Sequence, residues 1–285
     1  MLYKYIDVEG VVKTIQQKNI KFSKAVNWSG NANNQPEGND VNENFMVSCV
    51  ASEEQFNKTV EHLRKNGFTD GKIKGCLYML CLYAYQTYIS CFVEIRDNKK
   101  YMFDEYTKNG GACIVFENEL YNVLRNRYES TKINNRNKDL DVYKFEIGKI
   151  IYLDELPSLE LVMDSIEEHE RYKKLAYFSK LKERWEIEQE TRMIITSLGL
   201  KEAFISLFIP YANGYNCSYA GLRDFMLKMM DIDLSDRRDK FLKYDDYKLI
   251  NKVYLSPHNT MKDNEKISCL CNDYGISCES YINLL

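Results

Sequence analysis

"RWEIEQETRMII", residues 184–195, is the stretch on which the reading of the chain turns. Glu186, Glu188 and Glu190 stand at every second position and run through Arg192 into an apolar segment. Helix propensity alone favours a helix over "KERWEIEQE", whereas two-residue periodicity predicts a strand. As a strand, residues 186–195 place Glu186, Glu188, Glu190 and Arg192 on one face and Trp185, Ile187 and Gln189 on the other. Such a face is either a solvated acidic edge or a site whose carboxylates, kept ionised by Arg192, handle hydroxyls and protons. The segment by itself fits both.

Outward from this stretch, strands and helices alternate without an internal repeat. Strands are predicted at "LYKYI", "IKFS", "FMVSCV" and "TYISCFVE", and helices at "VEGVVKTIQQKN" and "SEEQFNKTVEHLRKNG", the latter with Ser52 as N-cap and Gly67 as stop. "KKYMFDEYTKNGGACIVFE" reads as short helix, Gly-Gly turn and strand, and "NELYNVLRNRYES" as helix. "VYKFEIGKIIYLDE" reads as a hairpin-like strand pair, and Pro157 opens a long helix reaching about Arg184. A helix at "SYAGLRDFMLKMMD" and a late strand at "KLINKVYLSP" close the pattern. The Asn- and Gly-rich "NWSGNANNQPEGNDVNEN" reads as a long exposed loop of the kind that often serves as a lid or binding segment. With no convincing linker, residues 1–285 are taken as one α+β domain.

Composition narrows the function classes. At 45% apolar, 28% charged and four prolines, the 285 residues describe an ordinary globular chain. A net charge of −3, from 39 basic and 42 acidic side chains, supplies no field to hold a phosphate backbone. The nine cysteines are scattered and never spaced Cys-x-x-Cys, which fits a reduced, cytoplasmic setting. The three histidines lie far apart, so no metal site is expected. The apolar run from Gly75 is broken by Tyr, Thr and Gln and reads as buried helix then strand, not as a membrane span.

Taken in order, "LYKY", "IKFS", "YISCFVE", "YMFDEYTKNGGACIVF" and "KLKERWEIEQETRMII" resemble a broad bacterial family. That family reads Leu-Tyr-[His/Lys]-Tyr, Cys-Phe-Ser, Met-Trp-x-x-Tyr with a Gly-rich turn and strand, and Trp-x-x-Glu-x-Glu-x-Arg. Some members resemble abortive-infection, anti-phage proteins, and the family resembles ADP-ribosyltransferase-like folds. The motif-bearing part covers residues 1–195; residues 196–285 extend the same domain, with a weaker match at "VYLSPHNTMKDNEKISCL". The resemblance implies a split, strongly bent mixed β-sheet flanked by helices, with NAD as substrate.

The same resemblance implies roles. Lys4, Ser90 and Glu188-x-Glu190 follow the chain order of a first-strand basic residue, a strand serine and a Glu-x-Glu pair. Glu190 would hold the ribose 2′-hydroxyl as an oxocarbenium-like centre develops, and Glu188 would orient or deprotonate the acceptor. Lys4 would meet a phosphate or ribose, Ser90 would steady the ribose, Tyr5 or Tyr106 would stack on nicotinamide, and Arg192 would support the pair. The implied activity is a toxin or phage-defence effector that modifies a macromolecular acceptor, protein or nucleic acid, on a phage trigger and without a membrane. Two other classes remain: a non-catalytic binding module of a defence system, and a carboxylate/Mg²⁺ nucleic-acid enzyme.

The chain departs from the family at Val93, where Ser is common, and at Phe103, where Trp is usual. "NNQPEGND" keeps Pro36 and Glu37 of a family loop but lacks its aromatic residue. Plainer roles stand beside the functional ones: Lys4 as a surface lysine, Ser90 bonded to backbone, Tyr106 and Trp185 as core, Arg192 as a structural partner of a glutamate, and His169 solvated.

Overall fold

The computed structural model describes residues 1–24, 53–75, 77, 87–94, 98–133, 141–154, 179–199, 218–232 and 239–284. They form a mixed, open β-sheet with helices against it. The strands are β1 (Leu2–Ile6), β2 (Asn19–Lys24), β3 (Thr87–Val93), β4 (Ala112–Phe116), β5 (Asp141–Lys149), β6 (Ile151–Leu153), β7 (Ser179–Leu181), β8 (Glu190–Gly199), β9 (Lys240–Lys243), β10 (Ile250–Leu255) and β11 (Cys278–Ser280). The helices are α1 (Val8–Gln16), α2 (Glu53–Lys65), α3 (Lys99–Tyr106), α4 (Glu119–Ile133), α5 (Lys182–Trp185), α6 (Tyr219–Ile232) and α7 (Met261–Asp273). Among the described residues no helix is long and apolar enough to cross a membrane.

The main sheet runs β11-β10-β4-β1-β3-β2-β9, and β8 lies between β3 and β5. Between β10 and β1 lies β4, "ACIVF", buried at every position, as a strand covered on both faces must be. Alternation along β1 and β4 sends Leu2, Ile114 and Phe116 into one core with Val11 and Ile15 of α1 and Ile267 of α7. Tyr3, Cys113 and Val115 enter the other, with Met102 and Phe103 of α3. The close approach behind β4 requires glycine: Gly111 has φ +145°, and a Cβ there would stand 2.1 Å from the Ile6 carbonyl oxygen.

One feature of the pairing positions the site. β1 meets β3 only at Tyr3–Val93, whereas β2 takes the same strand at Ser23–Ile89 and Lys24–Tyr88. Ser90 to Phe92 therefore fall between two different neighbours on that side. Along its other edge β3 pairs continuously with β8, from Thr87–Thr196 to Val93–Glu190.

The structure revises several expectations. The shared face of Glu186, Glu188, Glu190 and Arg192 does not form, because the strand begins only at Glu190. Residues 182–185 are α5 and Glu186–Glu188 a 3₁₀ turn, closed by Gln189 in the left-handed region at φ +49°. The Gln189 backbone N–H and side-chain amide both donate to the Glu186 carbonyl, and Asn98 donates to that of Ile187. Local helix propensity thus wins up to Gln189, and pairing with β3 wins after it. The helix expected to reach Arg184 gives way to strand at Ser179–Leu181, where β7 lies parallel to β6. The expected hairpin is likewise absent, since β5 pairs with β8 and β6 with β7.

The elements expected at β1, α1, β2, α2, β3, α3, β4, α4, α6 and β10 are present. Periodicity gave no sign of β9, α7 or β11. The long loop with Pro36 and Glu37, the strand "FMVSCV", Ser52, the start of the Pro157 helix and His169 lie outside the described residues.

Candidate functional site

The 3₁₀ turn and the start of β8 bring two carboxylates together around a lysine. Lys180, on β7, donates to Glu188 Oε2 at 2.8 Å and pairs with Glu190 Oε2 at 2.6 Å. Arg192 Nε meets Glu190 Oε1 at 2.6 Å, and the Tyr106 hydroxyl, from the end of α3, donates to Glu188 Oε1. Lys180, Glu188, Glu190 and Arg192 are 4%, 1%, 5% and 1% exposed. Two positive and two negative charges therefore share an enclosed volume, the condition under which buried ions are tolerated. Trp185 closes one side, its ring 4.6 Å from Lys180 Nζ.

Neighbouring backbone is tied to the same point. The Glu190 N–H donates to the Tyr152 hydroxyl at 2.8 Å, and the Glu190 carbonyl accepts from the Ile150 N–H at 2.9 Å. Register pairs Cys91 with Arg192, so the Cys91 thiol lies on the Glu190 side of the sheet and hydrogen-bonds its carboxylate.

The two carboxyls differ in protonation. Burial opposes the charge on Glu190, but Arg192 and Lys180 overcome it and hold the group well below the usual carboxylate range. Burial raises Glu188, only partly countered by Lys180 and by the Tyr106 hydrogen bond. Burial, with Glu188 beside it, pushes the Tyr106 hydroxyl up, and burial, reinforced by Glu190, pushes up the Cys91 thiol. An ionised carboxylate thus sits beside one that holds its proton more readily, the usual separation of acid and base roles.

The sequence-derived residues divide into two groups. Glu188, Glu190, Arg192 and Tyr106 converge. Lys4 and Ser90 also meet, Lys4 Nζ donating to Ser90 Oγ at 2.8 Å and to the Cys91 carbonyl at 3.1 Å. Ser90, however, pairs across the ladder with Met193, whose side chain belongs to the α1-side core, so it points away from Glu190. Lys4 and Ser90 line a cavity of about 240 Å³ beneath α1, and burial there brings the Lys4 amine down to about 8. Tyr5 is committed to packing, with its ring edge-on to Phe103 at 5.0 Å and its hydroxyl against Cys113. Tyr106 is 42% exposed although its hydroxyl reaches inward, so its ring forms the mouth of the cluster.

The chain matches no protein-family model, curated protein or solved structure.

Lys180 and Tyr152 belong to the centre and were not singled out from the sequence. Lys180 begins "KLKERW", but one lysine among three basic residues in five carries no periodic signal, and only β7 pairing turns it inward. Glu186 is exposed and outside the cluster. Among the described residues no group of three or more His, Cys, Asp and Glu is placed to hold a metal ion.

Proposed function

We propose that this protein transfers ADP-ribose from NAD to a macromolecular acceptor, as a toxin or anti-phage effector with an ADP-ribosyltransferase-like sheet. The observation that carries this reading is the pair Glu188 and Glu190, buried together on one lysine and pushed apart in protonation. Breaking the nicotinamide–ribose bond places positive charge on the ribose, which a carboxylate that stays ionised stabilises most as the bond breaks. Glu190 has that character. Deprotonating an acceptor hydroxyl or amine needs a group that takes up a proton more readily than an ordinary carboxylate, and the raised Glu188 suits it.

The fit of NAD to the other residues is uneven. Tyr106 offers an exposed ring for stacking at the mouth, while Tyr5 is held in the core and Arg192 is bound to Glu190. Lys4 and Ser90 support the reading through chain order and through their place where β3 changes partner. They would contact a ligand portion that lies in the α1-side cavity.

Nicotinamide release from NAD by the intact protein tests the proposal. Release should be measurable for the wild type and lost in Glu190→Gln with the circular dichroism spectrum unchanged. Wild-type protein that folds yet releases no nicotinamide at millimolar NAD, with or without candidate acceptors, would overturn it.

One observation favours a second reading as a binding module of a defence system. The four charges of the cluster balance, and none is more than 5% exposed, as a purely structural network would be. Calorimetry separates the two: no heat with NAD, together with wild-type biological activity in Glu188→Gln, favours the module. The Mg²⁺-dependent alternative draws less support, because both carboxylates already face Lys180.

A further inference from the structure

Away from the carboxylate cluster, two cysteines meet at the far edge of the sheet. Cys271 lies in the last turn of α7 and is fully buried; Cys278 opens β11 and is half-buried. The chain between them reverses at Gly275, whose φ of +67° is open to glycine without penalty, and the Ile276 N–H returns to the Cys271 carbonyl at 2.8 Å. This turn, and the parallel pairing of Cys278 with Val253, press Cys278 against the face of α7 that carries Ser268 and, one turn on, Cys271. Ser268 Oγ lies 3.8 Å from Cys278 Sγ.

We propose that Cys271 and Cys278 form a redox-responsive dithiol that closes to a disulfide under peroxide or a small-molecule disulfide, tying α7 to β11. Three observations support it: Cys278 Sγ lies on α7 one turn from Cys271, a turn returns the chain onto the Cys271 carbonyl, and Cys278 is half-buried, so that oxidant reaches it. The Cys271 and Ser268 hydrogen bonds also bring the Cys278 thiol down to about 7, so it is the attacking sulfur. With hydrogen peroxide, the Cys278 thiolate attacks one oxygen, the S–O bond forms, the O–O bond breaks and hydroxide leaves. Cys271 sulfur then attacks the sulfenic sulfur, the S–S bond forms, the S–O bond breaks, and the Cys271 proton departs with the oxygen as water. Two thiols lose two electrons and one peroxide becomes two waters.

The link has a route to the rest of the molecule. β11 continues into the 3₁₀ turn Tyr281–Leu284, where Tyr281 packs against Phe103 at 5.8 Å and the Leu284 carbonyl accepts from Lys99. Both partners belong to α3, which carries Tyr106. Oxidation therefore fastens the segment that braces the mouth of the carboxylate cluster.

Peptide mapping of the full chain tests the dithiol. After treatment with hydrogen peroxide and blocking of remaining thiols, cleavage before aspartate separates a peptide with Cys269 and Cys271 from one with Cys278, since Asp273 lies between. The expected result is a linked pair of these peptides in the wild type and in Cys269→Ser, absent in Cys271→Ser and reversed by dithiothreitol. The oxidised wild type should also melt at higher temperature than the reduced protein, a difference lost in Cys278→Ser. A link that vanishes in Cys269→Ser, or a Cys278 that proceeds to sulfinic acid while Cys271 stays free for alkylation, overturns the proposal.

Discussion

Lys180 is the residue on which the cluster depends. It faces Glu188 and Glu190 at 2.8 and 2.6 Å with 4% of its surface exposed. Removing it leaves two buried carboxylates facing each other with only Arg192 to compensate. Lys180→Ala should therefore cost about 3–5 kcal/mol of unfolding free energy, measured by urea titration. The two glutamates should respond to pH in opposite directions. Glu190 lies below its ordinary value of 4.5, so its contribution is present above that pH and is lost as pH falls through the folded-state value. Glu188 lies above 4.5, so the fold loses stability as pH rises from there through the raised value. Stability against pH should accordingly lose its acid-side slope at this site in Glu190→Gln, while Glu188→Gln flattens the loss on the rising side. Equal profiles in the two variants would contradict the assignment.

At the scale of elements, the turn over residues 186–189 sets the geometry of the site. Gln189 occupies the left-handed region at φ +49°, where a β-branched side chain clashes with its own backbone. Gln189→Val should destabilise by about 1–2 kcal/mol and disturb Glu188, whereas Gln189→Gly, free of that clash and lacking only the side-chain bond to the Glu186 carbonyl, should lose less stability than Gln189→Val and keep the Glu188 environment. Thermal melts of the pair check this, and equal melting temperatures would argue against a turn held by backbone conformation. "RWEIEQETRMII" shows how far an element could be read from sequence. Its second half reads correctly as strand because Met193 and Ile195 alternate into a core, an effect visible as periodicity. Its first half does not: helix propensity there points to the helical turn that forms, but where that turn ends rests on a left-handed residue and two hydrogen bonds to the Glu186 and Ile187 carbonyls, which leave no pattern in the sequence.

Across the whole molecule, segments remote in sequence hold the mouth of the cluster. Phe103 is fully buried and touches Tyr5 from β1 and Tyr281 beyond β11. Phe103→Ala should cost about 3–5 kcal/mol and release α3, so that Tyr106 no longer reaches Glu188. Tyrosine fluorescence and denaturant unfolding would report both effects, and a variant with wild-type stability would show that α3 is held by other contacts. By itself the sequence determined the alternation of strands and helices, the mixed α and β class and the placing of Glu190 and Arg192 on one face of a strand, because local periodicity and short spacings record such features. Only the tertiary structure decided that Lys180 sits between the carboxylates, that Ser90 faces away from them and that Tyr5 is core. Those outcomes depend on strand register and on which strands become neighbours, and long-range pairing is set by the burial of the whole chain, not by any window of it.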